Sequence, residues 1–178
     1  MGSTPILEGN LLIVMVGGQP NSGMVAFNAK TGGTVWESVG EKNWQGEPMI
    51  GWRGERTVDW KRLRQDKQAS YATPVAATVN GERLIFCLMR QGLVAVNPTN
   101  GAVKFSYWFR AEVDESVNAA NPVVVSNHVF ISTAYYRVGS ALLKILPGNK
   151  EVAPVWRSTA LEIHWTTPIF HDGFLYGF

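Results

Sequence analysis

The sequence predicts an all-β fold, a partial β-propeller of about three and a half four-stranded antiparallel blades, and three observations carry that expectation. Prolines recur in similar tetrapeptides, STPI, ATPV, ANPV and TTPI, at Pro5, Pro74, Pro122 and Pro168, spaced by 69, 48 and 46 residues. A turn recurs at fixed offsets from them: Pro5 to Gly32 and Pro74 to Gly101 are both 27 residues, and Pro5 to Trp36 and Pro74 to Phe105 are both 31. Finally, runs such as LLIVMV, RLIFCLM and PVVV are apolar without strict alternation, as strands are when both faces of their sheet are covered. A β-sandwich would also be all-β, but it does not call for repeated turns and aromatics at constant offsets.

Each unit divides into four strands. The first reads TPIL, the turn EGN, LLIVMV, the loop GGQPNSG, MVAFN, the turn AKTGG and TVWES. The second gives TPVAATV, NGE, RLIFCLM, RQG, LVAVN, PTNG and AVKFSY in the same order. Asn28 and Asn97 open the last turn because a short amide side chain bonds its own backbone two residues on; Gly32 and Gly101 close it because glycine accepts positive φ. In the third unit Pro122 to Gly148 is 26 residues and Pro122 to Trp156 is 34, so its last turn is longer. Residues 1–178 thus read as one propeller segment with blades 3–38, 70–107 and 118–158, a partial blade 165–178, and an inserted loop 39–69.

Composition excludes several classes. At 178 residues, 46% apolar and 17% charged, the chain can bury a core without disulfides, and its single cysteine, Cys87, lies in LIFCLM as an inert buried thiol would. No apolar run approaches the ~18 residues that span a membrane. The formal charge of +2 is concentrated in residues 53–67, which carry six Lys/Arg against three acids. One basic loop on a near-neutral body does not make a nucleic-acid face.

The pattern A-x-N-x-x-[T/N]-G-x-x-x-[W/F], at 26–36 and again at 95–105, resembles the PQQ-like repeat of the quinoprotein alcohol dehydrogenase-like propellers and of the propeller lipoprotein of bacterial outer-membrane barrel assembly. The stretches 17–46, 87–110 and 164–178 are similar, more narrowly, to PQQ-like repeat proteins of planctomycete-type bacteria. The resemblance covers essentially the whole chain, with Asn28 and Asn97 for the usual Asp, Phe105 for Trp, and a third unit (LLKILPGNKEVAPVW) that keeps only the glycine and Trp156. It implies that Asn28, Gly32, Trp36, Asn97, Gly101, Phe105 and Trp156 are structural, each repeat aromatic docking on the adjacent blade. It also implies a ring of seven or eight blades and a periplasmic or exported location. An open stack exposes apolar blade faces and a strand edge, so the chain reads as a piece of a longer protein whose partners are the remaining blades of the same propeller or another chain.

Candidate ligand-binding residues follow from blade topology. The connection between blades emerges on the same face as the loop between second and third strands, which gathers the inserted loop, the loops 17–23, 90–92 and 135–140, and the residues ahead of each proline. Ser70, Asn118 and His164 stand four positions before Pro74, Pro122 and Pro168; Arg90, Arg110 and Arg137 can join them. Hydroxyl, amide, imidazole and guanidinium groups on one rim suit a protein partner or a polar or anionic small molecule. Trp44, Trp52 and Trp60 in the insertion add apolar faces with hydrogen-bonding edges.

No catalytic or metal-ligating constellation accompanies them: GxSxG, metal-spaced His/Cys sets and a phosphate-binding glycine loop are all missing from the sequence. The expected function is therefore a non-catalytic binding or scaffold module without a cofactor. The alternative is part of a PQQ-dependent alcohol or sugar dehydrogenase with PQQ and calcium. The resemblance would then require vicinal cysteines that a lone Cys87 cannot form, and scattered carboxylates propose no calcium cage.

Overall fold

A computed structural model describes residues 2–46, 68–113 and 115–178; Trp52, Trp60 and the basic stretch 53–67 lie outside the described residues. The described residues form three four-stranded antiparallel sheets and one two-stranded sheet, each with its strands in sequence order. The first holds β1 (Ile6–Glu8), β2 (Leu11–Gly18), β3 (Ser22–Asn28) and β4 (Thr34–Ser38). The second holds β5 (Val75–Val79), β6 (Glu82–Leu88), β7 (Gly92–Val96) and β8 (Val103–Trp108). The third holds β9 (Val123–Val125), β10 (His128–Thr133), β11 (Gly139–Ile145) and β12 (Val152–Ser158), and β13 (Ile169–His171) pairs with β14 (Phe174–Tyr176). Strand β9 lies beside both β5 and β13, so the first strands of successive sheets converge on a common axis. This is the blade arrangement of a partial β-propeller.

The unalternating apolar runs are explained by two cores that share the second sheet. Leu84, Phe86 and Leu88 of β6 face the third sheet, against Val129, Ile131, Ala141 and Leu143. Ile85, Cys87 and Met89, one residue out of step, face the first sheet, against Ile13, Met15, Met24 and Trp36. Side chains alternate across a strand, so a sheet sandwiched between neighbours needs apolar residues at every position. Burying each such side chain is worth about 1.5–3 kcal/mol. Burial also pushes the Cys87 thiol far above its usual titration range, and its neighbour is the Met15 thioether at 3.6 Å.

The closing turns of the first two blades are built alike. Asn28 Oδ1 accepts from the Lys30 and Thr31 amides at 2.9 and 3.0 Å, and Asn97 Oδ1 accepts from the Thr99 amide at 2.9 Å. Gly32 and Gly101 follow in the left-handed region at φ 72° and 71°. Beyond the turn, each last strand carries a bulge that the sequence pattern does not announce. The register shifts by one residue ahead of Trp36, Phe105 and Trp156, which then pair with Ala26, Ala95 and Leu142. A bulge re-aims the side chain that follows it, and here it turns the aromatic toward the next blade.

Trp36 uses that aim fully. Its indole Nε1 donates to the Pro98 carbonyl in the turn of the second blade at 2.8 Å, and the ring lies against Gly101, where an added Cβ would sit 2.6 Å from Cε3. Phe105 has no donor, and the next interface is tied by another group. Asn149 in the third blade's turn donates to the Val79 carbonyl at 3.0 Å and accepts from Asn80 Nδ2 at 2.9 Å. An exposed bidentate pair, Arg83 with Glu8, also links the first two blades at 2.8 and 2.9 Å, but pairs in solvent contribute at most about 1 kcal/mol. Trp156 meets Phe130 of its own sheet at 5.9 Å and is 38% exposed, against 7% for Trp36.

The glycine pair separates turn strain from blade docking. Gly32→Ala places a Cβ in open space, whereas Gly101→Ala drives one into the Trp36 indole at the same φ. Urea unfolding should show both losing about 1–3 kcal/mol to backbone strain, with Gly101→Ala losing a further ~1–3 kcal/mol from overpacking. Equal losses would mean that the indole does not press on that turn.

Candidate functional site

The lead-ins to the inner strands form one connected layer. Ser70, ahead of β5, accepts from the Asn118 amide at 2.8 Å and donates its hydroxyl hydrogen to the Asn118 carbonyl; both residues are fully buried. The Tyr71 amide donates to the same carbonyl at 3.0 Å. The Asn118 side chain bridges inward, its Nδ2 donating to the Met89 and Phe109 carbonyls at 2.7 and 2.9 Å. These two candidates are thus brought together, and their donors are spent on each other and on strand ends. A buried amide or hydroxyl left unpaired would cost about 1–3 kcal/mol, which accounts for polar residues at the start of each unit.

The arginines differ in placement. Arg90 Nε donates to the Ser116 carbonyl at 3.1 Å, and fully buried Arg110 donates from Nη2 to the Val113 carbonyl at 2.6 Å, so both brace the 109–118 connection from within. Arg137 is exposed, at the end of the 3-10 turn Tyr135–Arg137. Trp44 is fully buried, donates to Gln68 Oε1 at 3.0 Å and packs on Trp108 at 5.4 Å, which seats the start of the inserted loop over the first two blades.

His164, ahead of β13, joins the layer through Thr133. The Thr133 hydroxyl donates to the Val117 carbonyl at 3.3 Å, which leaves its oxygen to accept from His164 Nδ1 at 3.0 Å. That network assigns the proton to Nδ1. Burial holds the imidazole below its ordinary range, so it is neutral at pH 7. Its ring lies 3.8 Å from Tyr135 at a 40° tilt and meets Trp165 edge-on at 4.5 Å; Trp165 in turn lies 5.5 Å from Tyr71.

The exposed aromatics are what the sequence reading passed over. Tyr71 and Trp165 both stand three residues before a proline, at equivalent positions of the second and fourth units, where the third has Ala119. The same ruler that located Ser70, Asn118 and His164 could have found them. Among the described residues no three His, Cys, Asp or Glu side chains gather as metal ligands, and Cys87 lies between blades rather than on this face.

Four-stranded antiparallel blades, an asparagine-to-glycine turn and an indole docked on the next turn define a PQQ-like repeat β-propeller. Residues 1–177 match the family described as outer membrane protein assembly factor BamB, and the chain belongs to that family. No curated protein matches it.

His164 should leave a signature in acid. Because the folded protein resists protonating it, the unfolded chain takes up the proton first as pH falls below about 6.5, and stability is lost there until the folded value is reached. Denaturation of the protein and of His164→Phe between about pH 7.5 and about pH 5 should show a shallower acid loss in the variant. Parallel curves would place the imidazole in solvent.

Proposed function

We propose that the chain is a non-catalytic propeller module of an exported, periplasmic bacterial protein, binding or scaffolding through its loop face. One observation carries this reading: the polar side chains that could do chemistry on that face, Ser70, Asn118, Arg90 and Arg110, bond backbone amide and carbonyl groups of the same layer. A site for acid–base or redox chemistry needs groups aimed at a reacting atom; here rigidity is what the groups supply, as a platform for loops requires. Membership of a family described as an outer membrane protein assembly factor supports the exported location and a protein partner. Among the described residues no helix is long and apolar enough to cross a membrane.

The face of the third sheet supports further blades as partners, whether from the same protein or another chain. A cavity of about 460 Å³ opens between that sheet and the β13–β14 hairpin, lined by Val123, Phe130, Leu142, Trp156, Phe170 and Phe174. Trp156 occupies there the position that Trp36 occupies against the second blade. A neighbouring turn with a left-handed glycine and an open carbonyl would cover it as Gly101 and Pro98 cover Trp36.

The full-length protein given PQQ and calcium is expected to show no tight binding and no alcohol-dependent dye reduction. Turnover of dye in that assay would replace this reading with a quinoprotein dehydrogenase.

A further inference from the structure

Three large aromatic side chains stand together on the loop face, delivered by three different connections. Tyr71 precedes β5, Tyr135 lies between β10 and β11, and Trp165 precedes β13; they are 37%, 41% and 62% exposed. Trp165 is 5.5 Å from Tyr71 and 6.3 Å from Tyr135, so the rings are contiguous. Burying rings of this size is favourable, and a contiguous exposed group of them marks a surface that something else covers.

Two independent features beneath the rings point to a ligand. The first is backbone strain: Tyr136 and Arg137 both sit at φ 55°, a conformation that costs bulky residues about 1–3 kcal/mol each and survives where it positions something. Here it presents Tyr135 to the His164 ring. The second is an unmet acceptor. His164 is 7% exposed, its proton is on Nδ1 facing Thr133, and the Nε2 lone pair has no partner among the described residues. A buried acceptor of this kind calls for an O–H or N–H donor.

The chemistry of the missing ligand follows. Tyr71, Tyr135, Trp165 and the neutral His164 carry no formal charge, and exposed Arg137 at the end of the Tyr135 turn is the one cation that the loop 135–140 adds beside them. Indole and phenol faces accept the C–H face of a saturated ring while their edges accept or donate hydrogen bonds. We propose that this cluster is a carbohydrate-binding site for an uncharged pyranose ring, stacked on Trp165 and Tyr71, with Tyr135 shifting off the imidazole so that a ring hydroxyl donates to the buried His164 Nε2. The proposal rests on the loop-face binding reading and gives it a ligand class.

The test is calorimetric titration of the full chain with cellohexaose and maltohexaose, with a neutral proline-rich peptide as a third titrant, since aromatic grooves also take polyproline segments. At least one hexaose should bind. Trp165→Ala and Tyr135→Ala should each weaken it about tenfold or more, equivalent to one lost ring contact. His164→Phe, which keeps the ring stack and removes the acceptor, should weaken it about five- to tenfold. Lys30→Ala, an exposed residue in the first blade's closing turn, should leave binding unchanged, and circular dichroism should show each variant folded. Silence of both hexaoses at about 10 mM, well above a weak millimolar affinity, would overturn the proposal. So would binding insensitive to Trp165→Ala, or binding of the peptide alone. Dye reduction with PQQ would sink the non-catalytic reading without touching these titrations, so the two failures are separable.

Discussion

The structure hangs on one contact between blades, the Trp36 indole held over the turn of the second blade. Its N–H reaches the Pro98 carbonyl at 2.8 Å and its ring covers Gly101. A blade alone is a meander of short strands with two apolar faces, which water does not tolerate. Docking converts that liability into a core, because the aromatic, the alanine opposite it and the neighbour's glycine together let two sheets approach closely. The bulge ahead of Trp36 aims the ring, and the asparagine turn holds the carbonyl that receives it.

The same stacking dictates what the loop face can be. Once the first strands converge on one axis, their lead-ins are crowded together out of water and must satisfy their own hydrogen bonds. Ser70 and Asn118 do this for each other, Thr133 does it for Val117, and Arg90 and Arg110 brace the longer connection between the second and third blades. The residues one step along, Tyr71 and Trp165, stand partly in solvent. On the proposed reading, binding takes place on top of the polar layer rather than in it.

The repeat made much of this legible. Asn28, Gly32, Asn97 and Gly101 act through their own backbone within a few residues, so spacing alone revealed the turns they make. The unalternating run around Cys87 likewise revealed a sheet covered on both faces. Long-range pairing is a different matter. Nothing local to Ser70 says that its hydroxyl meets residue 118, and nothing local to Arg110 says that its guanidinium turns inward. The bulges at Val35, Lys104 and Val155 were hidden too, because one extra residue in a strand leaves the apolar pattern almost unchanged. Trp44 could be read as part of an aromatic surface, yet its indole is spent on Gln68 within the core.

Hydrogen exchange of the indole protons, resolved residue by residue by NMR, tests the docking account most directly. The Trp36 N–H, bonded and 7% exposed, should exchange only on global unfolding, while the Trp165 N–H, on a ring that is 62% exposed, should exchange far faster. If Trp36 exchanged as quickly as Trp165, the bond to Pro98 would not hold the blades together, and the account built on it would fail.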